Sequence, residues 1–110
     1  MEKRKFIPVV DIFERGNDYL LIAEIPGVSK ETLEIEVEKN TLKIKGSPVW
    51  ESGEWEAVYR EFKDDYEFER SFEIGDDIDK DNIKAKIENG VLGLVLPKQE
   101  KAKPKKIEIQ

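Results

Sequence analysis

Residues 33–39, Leu-Glu-Ile-Glu-Val-Glu-Lys, decide how this chain is read. Leu33, Ile35 and Val37 fall on one side of an extended backbone, and Glu34, Glu36 and Glu38 fall on the other. That is the period of two that a strand imposes on its side chains. One apolar face and one charged face describe a half-buried strand of an antiparallel sheet. Working outward, the same pattern returns. Leu42 and Ile44 alternate with lysines after a close turn around Asn40. In residues 66–74, Tyr66, Phe68, Arg70, Phe72 and Ile74 alternate with Glu67, Glu69, Ser71 and Glu73. Ile83, Ala85 and Ile87 alternate with two lysines. Residues 9–16 and 18–27 read as a hairpin joined near Gly16-Asn17. Asn89-Gly90 marks a turn into a last strand over residues 90–98, interrupted at Gly93 and stopped by Pro97. Many short strands with almost no helical signal predict an all-β, antiparallel β-sandwich.

Composition narrows the function. The 110 residues suit one domain, with a core of useful size. There is no cysteine and no histidine. Disulfides, thiolate metal sites, the commonest zinc ligand and the commonest general base are therefore all unavailable. Acidic residues outnumber basic ones 25 to 19, for a net charge of −6, which disfavours nucleic acid as a partner. The opening, Met-Glu-Lys-Arg-Lys, is basic, but no apolar run of signal-peptide or membrane length follows. The expectation is a cytoplasmic protein with no membrane partner.

Two patterns invite chemistry. Asp77, Asp79, Asp81 and Glu88 match positions one, three, five and twelve of a calcium loop. The sixth position, however, needs glycine and holds Asn82, and strands rather than helices flank the run. It reads as a solvated acidic turn. No glycine-rich phosphate loop is present, and no pair of carboxylates is singled out for acid–base work. No cofactor, no metal and no enzymatic activity are expected.

Three other features ask for a partner. Arg70 shares a face with Phe68 and Phe72, so it needs a carboxylate or a subunit boundary if it points inward. The long polar segment 47–65 carries Trp50, Trp55, Tyr59 and Phe62, large aromatics that pack on their own domain or on another chain. Beyond a lysine-rich linker broken by Pro104, the chain ends Ile107-Glu108-Ile109-Gln110. Two isoleucines one residue apart point the same way in an extended chain, and they cannot fold alone.

Together these stretches resemble the small heat-shock protein family, through its α-crystallin domain. The resemblance rests on Ala85 to Leu92 with its Gly90-Val91-Leu92, on Leu96-Pro97-Lys98 and on Ile25-Pro26-Gly27-Val28. It also rests on the Phe68-x-Arg70-x-Phe72 strand and the terminal Ile107-x-Ile109. The family's long aromatic-rich arm has no counterpart in residues 1–7. The resemblance implies an immunoglobulin-like sandwich over residues 8–98, a short segment 1–7 before it and a flexible tail 99–110. It implies a groove for tail or client lined by Leu33, Ile35, Val37, Ile83, Ala85 and Ile87, with Ile107 and Ile109 as the anchor of a neighbouring tail. It further implies a homodimer, extended to higher oligomers by the tails. Its interface would hold Trp55, Tyr59, Phe62 and Arg70 from one side and Val9, Val10 and Ile12 of the partner strand from the other. The implied activity is that of an ATP-independent holdase for unfolded or partly folded clients. The alternative is a co-chaperone or adaptor of the p23 type, which shares the sandwich but lacks the Ile-x-Ile tail.

Overall fold

The computed structural model describes residues 4–49, 53–59 and 66–110. Eight strands follow in order: β1 (Arg4–Phe6), β2 (Val10–Glu14), β3 (Asp18–Glu24), β4 (Val28–Glu38), β5 (Thr41–Pro48), β6 (Tyr66–Glu73), β7 (Lys84–Glu88) and β8 (Val91–Pro97). The only helical pieces among the described residues are two single 3-10 turns, Lys80–Asn82 and Glu100–Ala102. One sheet has the order β1-β6-β5-β4 and the other β2-β3-β8-β7. Every pairing is antiparallel except β1 with β6. The all-β sandwich expected from the alternation is the fold of this chain.

The core lies between the sheets. Leu21 and Ala23 of β3, Leu42 and Ile44 of β5, and Leu92, Leu94 and Leu96 of β8 are buried. Their spacing of two is the alternation seen in the sequence. Each central strand sends one face inward, and the residues between are lysines in β5 but apolar residues or glycine in β3 and β8, namely Leu20, Ile22, Gly93 and Val95. The edge strands β4 and β7 bury less. Leu33, Ile35, Val37, Ile83 and Ile87 pack against the core but remain only partly covered.

Turn chemistry fixes the register. Asn89 and Gly90 both have positive φ, at 52° and 74°, as a two-residue type I′ hairpin requires. Glycine is needed at position 90 for a second reason. A Cβ there would stand 2.9 Å from Pro26 Cα, and the Ile25 amide donates to the Gly90 carbonyl at 2.8 Å. The Gly-Val-Leu stretch thus clamps the β7–β8 turn against the segment that leads into β4.

Some features differ from the sequence reading. Gly93 does not interrupt the last strand: β8 runs unbroken, with Gly93 paired to both Ile22 and Lys86. The polar connection after β6 hides a core residue, Ile78, which is 3% exposed and bridges to Lys98. Residues Arg4–Phe6 form a strand beside β6, where Phe6 meets Tyr66 edge-on at 5.2 Å.

Candidate functional site

The two sheets end in two different edges. On one side β4 and β7 are the outermost strands of their sheets and approach each other. Leu33 and Ile35 of β4, with Ala85 and Ile87 of β7, line an open groove of about 350 Å³. Lys30 and Lys86 complete its wall. Of the six residues expected here, four line the groove. Val37 and Ile83 sit on the same two edges and pack on the core without lining it. The groove offers apolar surface that neither sheet covers, inside a rim carrying two positive charges.

On the other side β2 is the edge strand of its sheet among the described residues. Val9 and Phe13 are exposed, while Val10 is half-buried against the core. Ile12 faces the core side, opposite Leu21, yet remains 54% exposed. It stands at the mouth of a second cavity of about 260 Å³, walled by Tyr19, Leu21, Leu42 and Phe72. The charged residues at this cavity are Glu73 and Asp77, both acidic. Asp77 accepts a hydrogen bond from the Tyr19 hydroxyl at 2.9 Å. That bond, helped by burial, pushes the Tyr19 phenol up to about 12. Trp55 and Tyr59 are largely exposed, at 84% and 80%. Phe62 lies outside the described residues.

Arg70 sits on β6, opposite Ile44 of β5, half-buried. Its Nη1 donates to the Pro8 carbonyl at 3.0 Å, and its guanidinium lies 4.8 Å from the centre of the Phe72 ring. Within the single chain the acceptor is a backbone carbonyl, and the expected carboxylate or subunit boundary belongs to the dimer reading. Partial exposure lowers the cost of the charge, so a carbonyl dipole and an aromatic face suffice. The bond pins Pro8, which is fully buried, directly before Val9 and Val10.

The tail starts beside the β2–β3 hairpin and the acidic cavity. The Lys98 amide donates to the Asn17 carbonyl at 2.9 Å, and the Gln99 amide to the Asp77 carbonyl at 2.7 Å. Past the 3-10 turn, Pro104 lies over the β2–β3 hairpin, its Cγ 3.6 Å from where a Gly16 Cβ would stand. Ile107 and Ile109 then project into solvent, 86% and 94% exposed.

Glu69 is held by Lys5 at 2.5 Å and Lys43 at 2.9 Å. These two ammonium groups bring its carboxyl down to about 2. A wide polar hollow on the outer face of the β4–β5–β6 sheet mixes Lys5 and Lys45 with Glu31, Glu34 and the buried Glu67. Among the described residues no group of three or more carboxylates is disposed to hold a metal ion. Asp79, from the calcium-like spacing, instead accepts a hydrogen bond from the Asn82 amide at 2.7 Å. No helix among the described residues is long and apolar enough to cross a membrane.

The chain matches the Hsp20/alpha crystallin family over residues 11–110. It belongs to that family. A small heat shock protein, C2, of Rickettsia felis is 34% identical over 98% of this chain and 71% of its own length. A probable 15 kDa heat shock protein of Leptospira interrogans is 36% identical over 97% of this chain and 81% of its own. Among solved structures, heat shock protein 16.0 from Schizosaccharomyces pombe superposes with a TM-score of 0.70 at 34% identity, covering 96% of this chain and 99% of that one. The family's role is that of a non-enzymatic chaperone, and its members form oligomers and bind client proteins. Sequence reasoning found the apolar floor of the groove. It missed Lys30 and Lys86, because nothing in a local pattern says which charged residues will border a gap between two sheets.

Proposed function

We propose that this chain is an ATP-independent holdase of the cytoplasm. It binds unfolding proteins through apolar surface that its own assembly covers and uncovers. The observation that carries the reading is a complementarity within one molecule: two exposed isoleucines on the tail, and an open groove with an apolar floor. Burying both isoleucines is worth roughly 3–6 kcal/mol before costs, and ordering the tail takes back several kcal/mol. A single tail therefore binds weakly, and only several tails acting together hold an assembly. Weak contacts exchange, and exchange opens the groove to an unfolding client.

In this reading residues 8–98 form the chaperone domain and residues 99–110 the connector between copies. The unit that the tails connect is a homodimer. Its contacts come from segment 47–65, with Trp55, Tyr59 and Phe62 reaching the partner's edge strand at Val9, Val10 and Ile12. The exposed aromatics and the open edge of β2 support this, since a free edge is a template for strand addition. Arg70 contributes by fixing Pro8, and through it the start of β2. Family membership leaves the p23-type co-chaperone reading without support. The test is to heat an aggregation-prone client with the protein, without nucleotide. Turbidity should be suppressed at near-equimolar subunit ratios. Suppression only when ATP is added would contradict the reading, as would none at any ratio.

A further inference from the structure

The molecule has two apolar openings that a pair of isoleucines could enter, and they carry opposite charge. The groove between β4 and β7 is bordered by Lys30 and Lys86. The cavity behind Ile12 is bordered by Glu73 and Asp77, and Lys98, the ammonium near its Tyr19 wall, is paired with Glu14. The tail carries a carboxylate, Glu108, between its two isoleucines. When Ile107 and Ile109 face an apolar floor, Glu108 points away from it, towards the rim. Lysine side chains are long enough to lay their stems over a bound strand and meet that carboxylate. Lys86 is available for this. It is exposed, and its only described ion pair is a loose 3.8 Å approach to Glu88.

The tail's own groove is out of reach. Pro104 lies on the β2–β3 hairpin, and β7 is two strands from β3 in the order β2-β3-β8-β7. Its Ala85 pairs Leu94, three residues along β8 from Pro97, the partner of Asp18 at the hairpin. Two spacings across and three residues along make about 14 Å. The three residues from Pro104 to Ile107 extend about 11 Å at most. The opening near the tail's own root is the acidic one, where Glu108 would meet two like charges.

We propose that Glu108 selects the docking site: it pairs with Lys30 and Lys86 of a second copy, and it keeps the isoleucines out of the acid-rimmed cavity. This rests on the tail-docking reading above and adds what steers it. The rim lysines are positioning residues for the tail, and docking is sensitive to salt, as exposed ion pairs are.

The test uses labelled peptides spanning residues 99–110, titrated by fluorescence anisotropy onto the full-length chain carrying Ile107→Ser and Ile109→Ser. The tails of that variant leave its grooves free. The wild-type peptide should bind, and its affinity should fall as salt is raised. A Glu108→Gln peptide should bind about two- to fivefold more weakly, and a Glu108→Lys peptide about tenfold more weakly. On protein also carrying Lys30→Glu and Lys86→Glu, two exposed positions, the order should reverse. Equal binding of all three peptides to both proteins would overturn the selection by charge and leave the docking itself standing. Binding of none of them would overturn the docking as well.

Discussion

The β4–β7 edge and the β2 edge both leave apolar residues uncovered, but they offer different things. At β4–β7 the side chains of Leu33, Ile35 and Ile87 lean into the sandwich and leave a groove. In the proposed reading that edge accepts side chains. At β2, Val9, Ile12 and Phe13 are exposed along the edge strand, and in the same reading that edge accepts a strand. A groove filled by two isoleucines would bind weakly and exchange. A strand edge closed by backbone hydrogen bonds and aromatic anchors would bind tightly. The difference would separate a durable dimer from a labile assembly of dimers within a single small domain.

The largest effect is expected where the tight contact is broken. Replacing Trp55 and Tyr59 together with Ser should weaken the dimer by at least tenfold in Kd, because buried aromatic anchors each contribute about 2 kcal/mol or more at such interfaces. Sedimentation across a dilution series would read this. An unchanged Kd would show that the exposed aromatics are not the contact.

Next comes the groove side. Gly90→Ala forces a side chain into positive φ and against Pro26. It should destabilise the domain by about 1–3 kcal/mol, a fall of several degrees in Tm for a domain of this size. Hydrogen exchange should quicken first in β7 and the start of β8, and last in β2. Equal loosening of both edges would dissolve the distinction drawn between them.

Arg70→Ala works on the other edge. It removes a charged donor from the Pro8 carbonyl, a bond of a kind worth about 1.5–3 kcal/mol, reduced here by partial exposure. Its loss should lower Tm by less than Gly90→Ala does. It should also raise amide exchange at Val9 and Val10 in particular.

The smallest effect is electrostatic. The folded Glu69 carboxyl is held at about 2, below the ordinary carboxylate value of 4.5. Its contribution is therefore complete above that ordinary value and is lost as the pH falls towards 2. Lys5 and Lys43 are exposed, so the change is small. Denaturation between pH 5 and pH 2 should show a slightly shallower loss of stability for Glu69→Gln than for the parent. An equal or steeper loss would mean that the pair does not form.

What could be read from the sequence was whatever is local and periodic. Residues 33–38 announced a half-buried strand, because apolar and charged residues alternate without exception. Asn89-Gly90 announced a turn, because few other residues tolerate the backbone angles that tight turns need. The residues of the groove floor followed from the same alternation together with the family resemblance. Other features were hidden for physical reasons. β1 is three residues long, too short to show a period, and it pairs in parallel with a strand some sixty residues away. The partner of Arg70 is a backbone carbonyl, and carbonyls are present at every residue, so none is marked. Ile78 is a core residue inside an acidic connection, and a single apolar residue carries no pattern.

The claim that a free tail of one copy fills the groove of another is tested most directly by the mass of the double variant Ile107→Ser, Ile109→Ser. Both side chains are exposed in the single chain, so the substitution leaves the fold intact. It removes only the apolar surface meant for the groove. Multi-angle light scattering on the parent and on the variant, at equal concentration, should find assemblies of several dimers for the first and the dimer mass for the second. The same large mass for both would contradict the account.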